Sequence, residues 1–113
     1  MLWLDSIPPN APRNLVVRPG ANGVNLQWDM PAMAADSEAV YGYVIYRFNG
    51  TDTVNLTDPK YILHIQYSTS THYVDQTAEK NKTYLYIVTA IDRLKNESDP
   101  TPTIAATTNY PAR

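Results

Sequence analysis

From Thr83 to Asp92 the chain reads Thr-Tyr-Leu-Tyr-Ile-Val-Thr-Ala-Ile-Asp, with Tyr84, Tyr86, Val88 and Ala90 at alternate positions. Successive side chains of a strand point to opposite faces, so these apolar groups, tapering from large to small, line the inner face of a packed sheet. The following Asn96-Glu97-Ser98 reads as a polar turn. Such a segment describes a scaffold or binding module and carries almost no chemistry of its own.

The other bounds agree with that reading. A chain of 113 residues suits one domain that buries roughly two thirds of its unfolded surface. Nine lysines and arginines against 11 aspartates and glutamates give a net charge of -2 with no basic run, which offers nucleic acid no electrostatic footing. Without cysteine there are no disulfides, thiolate metal sites or thiol nucleophiles. No apolar run approaches the roughly 20 residues needed to span a bilayer, and the N-terminus lacks a signal-peptide pattern. Any export signal would lie outside this chain. Met1 directly before Leu2-Trp3-Leu4 reads as the beginning of a piece of something larger. Plentiful Tyr and Thr, and prolines placed mostly between periodic runs, favour an all-β domain.

Residues 1–12 end in Ile7-Pro8-Pro9-Asn10-Ala11-Pro12, an extended path suited to a linker from a preceding domain. The folded domain is expected over 13–109, with 110–113 as a tail. Strands are expected at 14–18, 24–28, 41–48, 61–67, 71–75, 83–92 and 103–108, with 51–59 as loop. In the second strand Val24, Leu26 and Trp28 face inward, which makes Trp28 the expected centre of the core. Pro100 and Pro102 cannot donate ladder bonds, so pairing of the last strand should begin only after them. Seven short strands separated by turn signals indicate a Greek-key β-sandwich.

The order of residues resembles the fibronectin type III domain over about residues 9–108. The likeness is carried by Pro12-x-x-Leu15, Val24-x-Leu26-x-Trp28, Gly42-Tyr43-Val44-Ile45-Tyr46-Arg47 and Tyr84-x-Tyr86-x-Val88-x-Ala90. It implies an immunoglobulin-like sandwich in which Tyr84 is the corner tyrosine, its hydroxyl bonded to backbone just upstream. Many members carry Leu and Pro six and four residues before that tyrosine, where this chain has Ala78 and Lys80. A narrower likeness lies in Trp3-Leu4-Asp5-Ser6-Ile7-Pro8-Pro9-Asn10 and in Val88-Thr89-Ala90-Ile91-Asp92-Arg93-Leu94-x-Asn96-Glu97-Ser98. These segments look like the C-terminal type III domain of bacterial proteins related to family-10 glycoside hydrolases. The resemblance implies an upstream catalytic barrel in the same polypeptide, an exported or lipoprotein location, and action of the parent on polysaccharide. None of the barrel is in this chain, so no catalytic residue is carried over.

If Tyr43, Ile45, Tyr84, Tyr86 and Val88 face the core, then Val44, Tyr46, Phe48, Leu85 and Ile87 face away from it. A free sandwich sheet normally turns polar residues outward. In the type III arrangement these strands are neighbours, so the patch would be contiguous and large enough to need a cover. It is expected to be either a docking face for the upstream domain or a surface covered by Leu2, Trp3 or a long loop. Burying five such side chains is worth on the order of 5 to 10 kcal/mol before ordering costs. On the docking reading, a charge at Leu85 or Ile87 would raise the solubility of the isolated domain.

Catalytic chemistry is not expected in the chain itself. A glycosidase needs two carboxylates across a cleft, and the acids Asp92, Glu97 and Asp99 cluster on one turn instead. Asp92, Asn96, Glu97 and Asp99 could offer oxygen ligands to calcium but lack the spacing of an EF-hand loop. His64 and His72 stand alone, without the neighbouring ligands of a zinc site, and Ser68, Ser70 and His72 are ordinary loop composition. No cofactor is expected. Tyr41, Tyr46, Tyr61 and Tyr67 are candidates for stacking on sugar rings, the basis of an alternative reading as a carbohydrate-binding module. Four Asn-x-Ser/Thr sequences, at Asn49, Asn55, Asn81 and Asn96, would be glycan acceptors only in a secreted eukaryotic protein. The expected role is a non-catalytic accessory module that packs on or spaces an upstream catalytic domain, with a passive spacer as the other structural alternative.

Overall fold

The computed structural model describes residues 9–20, 23–31 and 40–108. Leu2, Trp3, the first part of the expected linker and the expected tail lie outside the described residues. Seven strands are present: β1 (Arg13–Gly20), β2 (Gly23–Asp29), β3 (Gly42–Asn49), β4 (Ile62–Gln66), β5 (His72–Asp75), β6 (Thr83–Ile91) and β7 (Ile104–Thr107). They form two antiparallel sheets, ordered β1-β2-β5 and β4-β3-β6-β7. Chain neighbours β2 and β3, and β4 and β5, lie in different sheets, so the chain crosses between layers as a Greek key requires.

The alternation explains the packing. Leu15, Val24, Leu26 and Trp28 of one sheet meet Tyr43, Ile45, Tyr84, Tyr86, Val88, Ala90 and Ala106 of the other in one buried cluster. Trp28 stands edge-on to Tyr43 with ring centroids 5.1 Å apart and planes at 65°, the geometry that aromatic quadrupoles favour. Burial raises the Tyr43 phenol pKa, with the neighbouring indole acting in the opposite direction. The two groups fall short of hydrogen-bond geometry, and Trp28 Nε1 and Tyr43 Oη have no other hydrogen-bond partner among the described residues.

Three local devices adjust the strands. Asn14 takes a left-handed φ of 57° where the β1–β2 register shifts between Arg13 and Val16; asparagine tolerates this region, and its Nδ2 donates to Asp29 Oδ2 at 2.7 Å. The bulge leaves Leu15 buried. Pairing then continues through Pro19↔Val24 to Gly20↔Gly23, two residues beyond the strand expected over 14–18. An edge strand can hold a proline without losing a ladder bond.

The third device replaces strand pairing where Pro100 and Pro102 interrupt it. Ladder pairing of β6 with β7 reaches only Tyr86↔Ile104. Beyond it, Val88 N–H donates to Thr101 Oγ1 at 3.1 Å and Ala90 N–H to Ser98 Oγ at 2.9 Å. Thr101 and Ser98 N–H return bonds to the carbonyls of Val88 and Ala90. Buried backbone groups must be paired, and two hydroxyls do here what a strand would otherwise do.

At the opposite end, the Glu79 N–H donates to Tyr84 Oη at 2.9 Å, the corner arrangement that the resemblance implied. Ala78, at the position where many relatives carry Leu, packs against the main core. Thr108 pins the corner loop: its Oγ1 accepts from Lys82 N–H at 3.0 Å and donates to the Glu79 carbonyl.

Trp28→Ala should lower the unfolding free energy by about 3–5 kcal/mol, the range for removing a large aromatic from a packed core. Urea denaturation followed by far-ultraviolet circular dichroism measures it. A loss under about 1 kcal/mol would remove Trp28 from the centre of the fold.

Candidate functional site

The outer face of the β3–β6 pair is built as the alternation dictates. Cross-strand partners Tyr46↔Ile87 and Phe48↔Leu85 set the expected patch side by side. It is not a free surface. Val44, Tyr46, Phe48 and Ile87 are buried within a second apolar cluster, packed against by Leu56, Tyr61, Ile62 and the half-buried Leu85. The chain between β3 and β4 folds back over its own sheet, and the Tyr61 ring lies 4.6 Å from Phe48, centroid to centroid. Of the two expectations for Val44, Tyr46, Phe48, Leu85 and Ile87, the open docking face is therefore corrected and cover by a loop of this chain is found.

Short polar contacts shape that loop. Asn49 N–H donates to Asp52 Oδ2 at 3.0 Å, and Asn55 Oδ1 accepts from Thr57 N–H and Oγ1 at 3.0 and 2.7 Å. Asp58 caps a single 3₁₀ turn, Pro59–Tyr61, by accepting from Lys60 N–H. Asx turns and a proline at the helix start fix backbone that would otherwise be costly to order. The signal missed in the sequence was Leu56 and Tyr61, apolar side chains at either side of the polar Thr57-Asp58-Pro59-Lys60.

Two acids of the 92–99 segment, Asp92 and Glu97, have structural duties. Asp92 Oδ1 accepts from the Leu94 and Asn96 N–H groups, each at 2.9 Å, and its Oδ2 from Asn96 Nδ2 at 3.1 Å. This closes a turn in which Lys95 has φ 68°. Glu97 receives the hydroxyls of Tyr46 and of Thr89. Burial first, then this hydrogen bond and the carboxylate's charge, push the Tyr46 phenol well above its ordinary pKa, against a smaller opposing effect of Thr89. Tyr46 is thus held as a neutral donor at the rim of the second core. Among the described residues no three His, Cys, Asp or Glu side chains are grouped to hold a metal ion.

The histidines serve the sheet edges. His64 on β4 stacks on Tyr73 of β5 at 4.7 Å with planes 14° apart, bridging the two sheets, and His72 Nδ1 lies 3.3 Å from Ser70 Oγ. The four tyrosines considered for sugar stacking do not form a row. Tyr46 and Tyr61 belong to the second cluster. Tyr41 and Tyr67 are exposed but meet edge to face, 6.0 Å apart at 62°. A concavity of about 280 Å³ on the outer face of β1 and β2 is lined by polar Asn14, Arg18, Asn25, Gln27 and Asp29 together with apolar Val16 and Trp28.

Sequence reasoning passed over Asp75, although its inward-facing position on β5 was a signal. Its carboxylate is fully buried, and Arg47 Nη1 donates to Oδ2 at 2.9 Å. Tyr86 Oη adds a bond of 2.7 Å to Oδ2. Thr77 N–H and Oγ1 donate to Oδ1. The group joins β3, β5 and β6 across the two sheets. Burial alone would raise the Asp75 pKa, but the bonds from Tyr86, Thr77 and Arg47 together hold it below its ordinary value. Burial and the Asp75 carboxylate drive the Tyr86 phenol far upward.

Two consequences can be measured. A carboxyl whose folded pKa is depressed contributes stability that is fully present above its unfolded value, about 4, and is lost as pH falls through the folded value. Asp75→Asn should therefore cost about 3 kcal/mol at neutral pH by urea unfolding, and the gap to wild type should narrow as pH falls from 5 to 2. A gap that stays constant would mean Asp75 is not the buried ion. Separately, Ile87→Lys should destabilise the isolated chain by at least about 3 kcal/mol, because it buries an unpaired charge. Unchanged thermal stability with improved solubility would restore the open-face expectation.

No model of a known protein family matches the chain. It is 38% identical over 99 residues to glycosyl hydrolase YngK of Bacillus subtilis (strain 168), a match that takes in 87% of this chain and 18% of that protein. The chain thus spans under a fifth of the length of this relative. Among solved structures, an Fn3-like protein from Clostridium thermocellum superposes with a TM-score of 0.67 at 19% identity, covering 86% of this chain and 90% of that one. The β-1,2-glucanase from Parabacteroides distasonis matches with a TM-score of 0.69 at 26% identity, over 96% of this chain and 14% of that one. With its sheet order, its Trp28-centred core and its Tyr84 corner, the chain is a fibronectin type III domain in fold.

Proposed function

We propose that the chain is a non-catalytic accessory module of a carbohydrate-active, glycoside hydrolase-like protein, packing on or spacing a catalytic domain that precedes it in the same polypeptide. The observation that carries this reading is the 38% identity running through 87% of the chain to a protein named as a glycosyl hydrolase, of which the match is only 18%. The match to a part of the β-1,2-glucanase, 14% of that chain, supports the same association. The non-catalytic role is supported by Asp92 and Glu97, whose carboxylates are engaged in capping a turn and receiving two hydroxyls. The two ends of the domain also suit a place in series. β1 begins beside Asp29, whereas β7 ends beside Thr83, at the far end of β6. Location outside the cytoplasm belongs to the same proposal and is supported by the family resemblance alone.

One observation favours a second reading. The concavity on β1 and β2 gathers amide, guanidinium and carboxylate groups, the planar polar side chains that bracket sugar hydroxyls. On that reading the chain is a carbohydrate-binding module.

The readings separate in one set of measurements on the parent protein with and without this domain. The accessory role expects hydrolysis of short soluble oligosaccharides to persist after deletion, while the catalytic domain melts several degrees lower if the two pack. Amide shifts at Arg18, Asn25 and Gln27 on titrating soluble glucans into the isolated chain would favour the binding module. Release of sugar by the isolated chain would overturn both.

A further inference from the structure

We propose that the preceding domain docks on one pole of the sandwich, on Tyr41, Tyr67, Leu94 and Lys95, and not on the sheet face; this rests on the reading of the chain as a module joined to a larger domain. The pole is the one formed by the β2–β3, β4–β5 and β6–β7 connections. The chain enters it too: Arg13 pairs with Asp29 at the end of β2, and its Nη2 donates to the Met30 carbonyl at 3.3 Å.

Exposed apolar groups are distributed unevenly. Seven large hydrophobic side chains are exposed among the described residues, and Met30, Tyr41, Tyr67 and Leu94 lie in connections of this pole. Leu94 is the most open at 73%. At the other pole, among the described residues, the β3–β4 connection carries only Val54 at 39% and the β5–β6 connection carries none; the latter presents the Glu79–Lys82 ion pair at 3.4 Å. Apolar exposure concentrated where a neighbouring domain would join the chain is the pattern of an interdomain contact.

The surface is also pre-arranged. Tyr41 N–H donates to the Ile91 carbonyl at 2.8 Å, which sets Tyr41 beside the turn that carries Leu94. That turn is closed by Asp92, whose Oδ1 accepts from Leu94 N–H. Tyr67 sits between the Tyr41 ring and Lys95 Nζ, which lies 5.1 Å from its centroid. Side chains already held need little further ordering on contact. The last residues before β1 are held as well, since Pro9 and Pro12 are buried, which keeps the entry of the chain at this pole. Three large side chains present an area too small for a stable complex of free partners, but a covalent tether supplies the effective concentration that makes a small contact sufficient. The fitting partner surface is an apolar recess that receives Leu94 and the tyrosine edges, with an acidic group facing Lys95.

Hydrogen exchange followed by mass spectrometry tests this on the whole parent protein and on the 113-residue chain. Amides at 40–42, 67–68 and 93–96 should exchange about tenfold more slowly in the parent. Leu94→Asp or Tyr67→Ser in the parent should abolish that difference and leave the thermal midpoint of the isolated chain unchanged. Protection at 54–62 with the pole unaffected would overturn the polar contact while leaving packing between the domains standing. Equal exchange everywhere would overturn both and leave a passive spacer.

Discussion

The pairing of β3 with β6 is the constraint on which the rest of the molecule depends, because both strands are apolar on both faces. One set of alternate positions, Tyr43, Ile45, Tyr84, Tyr86 and Val88, closes the main core. The other set, with Val44, Tyr46, Phe48 and Ile87, would face water in a simple two-layer sandwich. The chain answers with a third, partial layer. The β3–β4 connection lies over Phe48, and the turn after β6 reaches back through Glu97 to Tyr46 and Thr89. Each connection therefore has a packing duty, which explains the Asx turns and the Pro59 cap in what would otherwise be free loops.

Polar groups are placed by the same logic of completing backbone and charge pairing. Ser98 and Thr101 take over as partners of β6 where two prolines prevent a ladder, and Thr108 closes the corner around Tyr84. Asp75 compensates its burial with bonds from three residues that stand on different parts of the fold. A buried carboxylate so fully engaged ties the sheets together and has little capacity left for chemistry. In the 92–99 turn the Asp92 carboxylate closes the backbone turn and that of Glu97 receives two hydroxyls, so both have structural duties.

Much of this was legible in the sequence, for reasons tied to particular residues. The alternation of Val24, Leu26 and Trp28, and of Tyr84 through Ala90, identifies inner faces directly, since period-two patterning depends only on strand geometry. The apolar outer face was equally visible, and a long loop was one of the covers expected for it; which residues of the loop do the covering was not visible. Leu56 falls in a mostly polar run with no period to mark it, Tyr61 reads as the start of a strand, and their burial depends on a chain reversal that local propensity does not encode. Asp75 was hidden by its place at a strand end, where an acid usually caps a turn in solvent. Pro19 misled in the other direction: it reads as a turn, yet on the edge strand β1 it stays paired opposite Val24.

The third layer also bears on how such a module can meet a neighbour. A partner seeking the outer face of β3 and β6 would have to displace Leu56 and Tyr61 and uncover Val44, Phe48 and Ile87, and each buried side chain re-exposed costs about 1.5–3 kcal/mol. The pole at which the chain enters carries no such penalty, because Leu94, Tyr41 and Tyr67 are already exposed on fixed backbone. A sheet that seals its own apolar face leaves its connections as the surface open to association. The residues that stabilise this domain are thus separate from those available for contact, and either set can vary without undoing the other.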